Sequence, residues 1–231
     1  MNLRIRLHTA EQLDNLSLSG KTLSKTLSSL KLINKLFGNH KQLAKSTLDY
    51  CIKNPNKKQF RIVDIGCGGG DSLYNISNTL NAKGIEATFL GIDGNPQSIR
   101  YASSKYNHIQ FKTDNILDHS FSIPDCDIII SSHFMYHFED QELTEFIQRI
   151  REKGIKHIIF SELKRSKTAY FLFKYSSYFL PISKLAKQDG LIAIQRAFTV
   201  NELKSILDLS DVKNYTINEK FWFRTITKIN L

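Results

Sequence analysis

The stretch Val63-Asp64-Ile65-Gly66-Cys67-Gly68-Gly69-Gly70-Asp71 decides how the rest of the chain is read. Residues 60–65 form a short, β-branched apolar run, the pattern of a strand buried on both faces. Four glycines follow within five residues, and a helical pattern starts near Asp71. Strand, glycine turn and helix together let backbone approach a bound nucleotide closely, because no Cβ stands in the way. A dinucleotide fingerprint would need a glycine where Asp71 stands, and a carboxylate there repels a pyrophosphate at the helix N-terminus. No Gly-Lys-Ser/Thr follows, which excludes a P-loop. Asp64 and Asp71, at the two ends of the turn, suit a cofactor with an amino group and a sulfonium. S-adenosylmethionine fits that description.

Residues 87–93 predict a second strand ending in Asp93. A doubly wound sheet places there the carboxylate that accepts both ribose hydroxyls. Asn95-Pro96 then opens a helix. A third strand, residues 108–113, ends in Asp114-Asn115; these either bond an adenine amino group or serve as turn formers.

Residues 63–71, 90–96, 113–115 and 126–138 give the chain its resemblance to the class I S-adenosylmethionine-dependent methyltransferases. The resemblance implies an α/β, Rossmann-like fold: a seven-stranded, mostly parallel sheet with an antiparallel edge strand and helices on both faces. The cofactor is expected over the carboxyl ends of the first two strands, and the methyl acceptor beyond the fourth. Expected cofactor contacts are Asp64, Gly66, Gly68, Gly70, Asp71, Asp93, Gly94, Asp114, Asn115 and Ser131. Residues 32–40, 161–166, 188–190 and 195–198 further resemble a bacterial subgroup associated with type III polyketide synthases.

Composition is consistent with this reading. A chain of 231 residues has room for a sizeable core. Its three cysteines show no metal-ligand pairing and no disulfide framework, so a reducing cytoplasm and no metal are expected. No signal-like or membrane-spanning run appears. The net charge of +10 is concentrated in residues 1–60, where eleven Lys/Arg face three acids. That segment is expected to be a helical cap, 1–55, with helices near 10–18, 20–37 and 40–53. Its lysines form either a solvated face or a surface for an anionic partner: a membrane, an acidic carrier protein or RNA. Nucleic acid is disfavoured, because the lysines lack interleaved exposed aromatics.

The remainder, 56–231, is expected to be the cofactor-binding domain, with a lid insertion about 163–198. Strands are predicted near 59–65, 87–93, 108–113, 125–131, 156–162, 212–218 and 221–229. Helices are predicted near 70–82, 96–106, 141–152, 168–180 and 200–208. Alternation of the two argues for a parallel sheet. Asn218-Glu219 is expected to join the last two strands as a hairpin.

Residues 132–138, Ser-His-Phe-Met-Tyr-His-Phe, follow the fourth strand. The Asn/Asp-Pro-Pro-aromatic run of enzymes that methylate base amines is missing, as is a Pro-Cys nucleophile. Two histidines and a tyrosine suit removal of a proton from a phenol, whose pKa near 10 calls for a base with a pKa near 6.5. His137 is the first candidate base and His133 the second. Residues 170–180 are apolar nearly all round, which fits either ordinary core packing or a greasy substrate pocket. Tyr136, Arg165, Tyr170, Phe173 and Arg196 are the candidate substrate contacts. The expected reaction is methyl transfer to a small, hydrophobic aromatic hydroxyl of polyketide type. A carbon methyltransferase of quinone-type biosynthesis, a carboxyl methyltransferase acting on a carrier-bound acyl chain and, more remotely, an RNA-binding methyltransferase stand as alternatives.

Overall fold

A computed structural model describes residues 3–231. Met1 and Asn2, which the expected cap would include, lie outside the described residues. A seven-stranded sheet runs through the centre in the order β3-β2-β1-β4-β5-β7-β6. Its strands are β1 (Gln59–Ile65), β2 (Glu86–Asp93), β3 (Gln110–Thr113), β4 (Ile128–Ser132), β5 (His157–Leu163), β6 (Asn214–Lys220) and β7 (Arg224–Asn230). β1 to β5 pair in parallel, whereas β7 is antiparallel to both β5 and β6. The reversed strand is therefore second from the edge, with β6 outside it. The architecture is the expected Rossmann-like one.

Among the described residues, eight α-helices surround the sheet: α1 (Gly20–Leu36), α2 (Asn39–Lys53), α3 (Asp71–Asn81), α4 (Pro96–Lys105), α5 (Asp140–Glu152), α6 (Lys167–Ser176), α7 (Lys184–Arg196) and α8 (Val200–Leu209). Alternation within the strands sends side chains to opposite faces. Val63, Ile65 and Ile129 pack with Phe146 and Ile150 of α5 and with Leu203 and Ile206 of α8. Phe60, Ile62, Ile128 and Ile130 pack with Leu43 of α2 and with Leu73 and Ile76 of α3. Two apolar cores thus sandwich the sheet, and β1, beside the central β4, is buried from Ile62 onward.

Three expectations need correction. The helix expected at 10–18 is a single turn, Gln12–Asp14. The N–H groups of Gln12 and Leu13 instead donate to the carboxylate of Asp189 on α7, each at 3.0 Å, so residues 3–18 lie as a strap across the molecule. The strap is also tied by Leu7 N–H to the Gln195 carbonyl (3.1 Å) and by Asn95 Nδ2 to the Leu18 carbonyl (2.9 Å). Helix α7 was not expected, because Gly190 interrupts its pattern. A Cβ on Gly190 would collide with the Phe173 ring of α6, and that contact accounts for the glycine. The final hairpin turns at 221–223 rather than at Asn218-Glu219, which pair with Ile226 and Thr225 inside the ladder.

Candidate active site

A cavity of about 480 Å³ opens where the carboxyl ends of β1, β2 and β4 meet α1, α6 and the strap. Ends of parallel strands at a point where strand order reverses are the usual ligand site of such sheets. The glycine turn forms one wall. Gly66 has φ +73, and a Cβ there would overlap the Phe134 ring. Gly68 has φ +50; a Cβ there would stand opposite Leu27 across the cavity, 3.8 Å away. The bare turn leaves that space to a ligand.

Three carboxylates surround the turn. Asp64, at the end of β1, is 1 % exposed, and its Oδ1 has no hydrogen-bond partner among the described residues. Burial, and then the charges of Asp71 and Asp93, push its pKa well above the usual range. A buried carboxylate oxygen without a donor is costly until one arrives. Asp93, at the end of β2, accepts from Gly68 N–H and Asn95 N–H, each at 2.9 Å, and each of its oxygens keeps a lone pair. Asp71 pairs with His40 of α2 and lines the cavity. An orphaned carboxylate, a second carboxylate and an open glycine turn fit a ligand carrying an amino group and hydroxyls.

The second wall carries the titratable cluster. His137 follows β4 in a short helical turn, and its Nδ1 lies 3.3 Å from Oδ1 of Asp14 on the strap. Arg196 of α7 holds the other oxygen of Asp14 at 2.7 Å. Burial alone would raise the Asp14 pKa. The hydrogen bonds and charges of His137 and Arg196 outweigh it and hold the group at about 2. Glu11 lies next to it, 3.6 Å from Arg196, and Tyr136 hydrogen-bonds to it. Burial first, then the Asp14 charge, raise Glu11 to about 8, while burial keeps Tyr136 a neutral phenol. Glu11, Asp14 and His137 lie close enough to share an ion. Arg196 already stands among them as the cationic partner.

Several expected residues meet at the cavity: Asp64, Gly66, Gly68, Asp71, Asp93, Gly94, Asn115, His133, Tyr136, His137, Phe173 and Arg196 all line it. Others do not. Gly70 faces the Phe111 ring and Ala102. Ser131 is fully buried and donates to the Ile65 carbonyl at 3.0 Å. The carboxylate of Asp114 is bound by Lys112 at 2.8 Å. Tyr170 packs edge-on against Phe171, outside the lining. Arg165 is spent on structure: its guanidinium pairs with Glu202 and donates to the carbonyls of Leu3 and Ala197. His133 lines the cavity but is a poor base, since its Nε2 accepts from the buried Arg224 guanidinium. Burial and that cation depress its pKa well below the ordinary value.

Glu11 and Asp14 were missed as site residues. A further group was missed behind His133. Glu162, at the end of β5, accepts from the N–H groups of Phe134 and Met135, each at 3.2 Å, and fixes the backbone of this loop. Burial raises it to about 7 despite those bonds.

Residues 62–153 match the model of a family described as "Methyltransferase domain". Solved structures agree in fold. The plantazolicin methyltransferase in complex with SAH superposes with a TM-score of 0.66 at 19 % identity, covering 88 % of this chain and 88 % of that one. Magnesium protoporphyrin IX methyltransferase from Synechocystis with bound SAM gives 0.53 at 15 % identity, covering 94 % and 88 %. A carbon methyltransferase, CurJ, gives 0.61 at 12 % identity, covering 83 % of this chain and 53 % of that one. At these identities the likeness is one of fold: the chain has the Rossmann-like methyltransferase fold. No curated protein sequence matches it.

Proposed function

We propose that this protein is an S-adenosylmethionine-dependent methyltransferase acting on a small, hydrophobic aromatic hydroxyl, such as a polyketide-type phenol. The observation that carries the reading is one cavity with two chemistries. Asp64, Asp93 and the open glycine turn line one side, and the His137–Asp14 pair lines the other. Asp93 would hold the ribose hydroxyls, Asp64 the amino group of the methionine part, and Asn115 the base.

When bound, the cofactor supplies an electrophilic methyl on a sulfonium that departs as a neutral thioether. The remaining work falls to this chain. His137 Nε2 takes the hydroxyl proton of the acceptor, while Nδ1–H donates to Asp14, which holds the ring and stabilises its charged form. Arg196 fixes Asp14 from the far side. Leu30, Ile33, Phe37, Leu172, Phe173 and Trp222 give the acceptor an apolar, water-poor surround, with α6 and α7 as the lid over it. Positioning then supplies most of the remaining rate, as in any transfer between two bound partners.

The test is incubation with the donor and a panel of alkylated phenols, quinols and acyl carriers, read as a mass gain of one methyl. Carbon chemical shifts of the product separate an O-methyl from a C-methyl. A panel in which only quinol carbons or carboxylates gain the methyl would replace the proposed acceptor class. No gain on any member would remove the proposal.

A further inference from the structure

The cavity mouth is rimmed by large apolar side chains that the fold leaves in water. On α6 and the turn after it, Phe171, Tyr175 and Tyr178 are exposed, and Phe179 is 90 % exposed. Across the mouth, the β6–β7 turn presents Phe221, 83 % exposed, and Trp222, whose ring lies 5.1 Å from Phe37 at the end of α1. Leu172 links the rim to the interior: it lines both the cavity and a shallow groove with Phe171, Tyr175 and Phe179. The turn is strained, because Trp222 and Phe223 both adopt left-handed backbone, at φ +65 and +55. Bulky aromatics rarely sit there, so the hairpin tip is held against local preference.

The charge around this rim is mostly of one sign, the exposed Glu219 beside the turn being paired with Lys164. Residues 163–188 hold six Lys/Arg and no acid, and residues 15–48 hold six lysines and no acid. Lys35, Lys167, Lys174, Lys184, Lys187 and Lys220 pair with no acid among the described residues. Lys174 and Lys187 lie over the rings of Tyr175 and Tyr178, at 5.9 and 5.7 Å. Aromatics that enter the acyl boundary, ringed by lysines that meet headgroups, are what an interfacial surface requires. No described helix is long and apolar enough to cross a membrane, so contact would be with one leaflet.

We infer that this rim docks on an anionic lipid surface and turns the cavity mouth toward the bilayer. Phe179, Phe221 and Tyr178 enter the headgroup boundary, while the lysines bind lipid phosphate. The inference goes beyond the proposed reaction, and its test reads binding alone, so it can fail or hold whatever the acceptor is.

The experiment is co-sedimentation of the full chain with vesicles of phosphatidylcholine, alone or mixed with phosphatidylglycerol, at low and high salt. Partition onto the anionic vesicles is expected to exceed that onto neutral ones by at least about tenfold and to fall steeply with salt. The double variant Phe179→Ser with Phe221→Ser is expected to lose binding while keeping its melting temperature and cofactor affinity. Should that variant fold poorly, Lys174→Glu with Lys187→Glu is expected to weaken anionic binding at least as clearly. Equal partition onto both vesicle types, or onto neither, would overturn the inference. Binding that survives loss of both phenylalanines would assign the lysines to an acidic macromolecule instead. A dimer that dissolves in the double variant, with no vesicle binding, would assign the face to a second copy of the chain.

Discussion

Asp14 Oδ1 lies 3.3 Å from His137 Nδ1, joining the N-terminal strap to the loop after β4. An imidazole takes a proton best when its other nitrogen donates to a fixed carboxylate, because tautomer and ring orientation are then settled in advance. His137→Ala is expected to lower turnover by about 10²–10⁴-fold. Asp14→Asn is expected to lower it by about 10–10³-fold, with cofactor affinity nearly unchanged in both. The losses should shrink as the acceptor phenol is made more acidic. Steady-state kinetics over a series of substituted phenols would check this, and a loss equal across the series would remove His137 from the role of base.

Asp93 accepts two backbone N–H groups and still faces the cavity. Asp93→Ala is expected to weaken cofactor binding by roughly 1.5–3 kcal/mol, the worth of two charge-assisted hydrogen bonds. Calorimetry reads this directly, and unchanged affinity would place the ribose elsewhere.

Glu11 titrates at about 8 in the folded chain against an ordinary 4.5. Folding therefore favours its neutral form. The stability it contributes is complete below pH 4.5 and is lost as pH rises through about 8, by up to ~1.4 kcal/mol per pH unit in between. Glu11→Gln removes that titration. Its melting temperature should fall behind or match the wild type at pH 4 and exceed it at about pH 8 to 9. Thermal melts across pH would show the crossing; parallel curves would mean that Glu11 is ionised in the fold.

Arg165 has its guanidinium buried against Glu202 and two carbonyls. Removing one partner of such a group strands the others, at about 3–5 kcal/mol. Arg165→Ala should melt well below the wild type, yet the Michaelis constant for the acceptor should not change for the protein that remains folded. A selective rise in that constant would return Arg165 to the acceptor.

The apolar wall of α1 and α6 makes chain length on the acceptor a measure of pocket depth. Each buried methylene adds at most about 0.8 kcal/mol. The ratio of turnover to Michaelis constant should rise over several carbons of an alkylphenol series and then level off. A fall from the first added carbon would mean that the true acceptor is small and polar.

The parts of the site that were legible are those made of neighbours in sequence. The glycine turn, Asp64, Asp93 and the loop carrying His137 each lie at or just after the end of a strand whose apolar run announces it, and the parallel sheet then brings the strand ends together. Depth was not legible. Arg165, Ser131 and Asp114 have the right chemistry at plausible places, but their bonds to Glu202, the Ile65 carbonyl and Lys112 appear only once the chain is folded. Pairings between the two ends of the chain were equally silent, since nothing near Asp14 in sequence names His137 or Arg196. The expected helix at 10–18 failed for a related reason: the backbone donors of Gln12 and Leu13 find a better acceptor in Asp189 than in their own chain. Helix α7 was hidden by Gly190, a residue chosen for the Phe173 ring rather than for helicity.

The strap also separates what holds the molecule together from what gives it selectivity. Glu11, Leu13, Asp14 and Leu16 face the cavity, yet the strap adds no strand to the sheet and lies outside the two apolar cores. Backbone bonds and the side chains of Leu3, Arg6, Glu11 and Asp14 tie residues 3–18 to the scaffold, whereas Leu13 and Leu16 face the cavity without such bonds from their side chains. Changing those two side chains would reshape this wall of the cavity while the Asp14–His137 pair and the glycine turn stay in place. A library confined to those two positions is the economical route to reshaping the cavity of this protein.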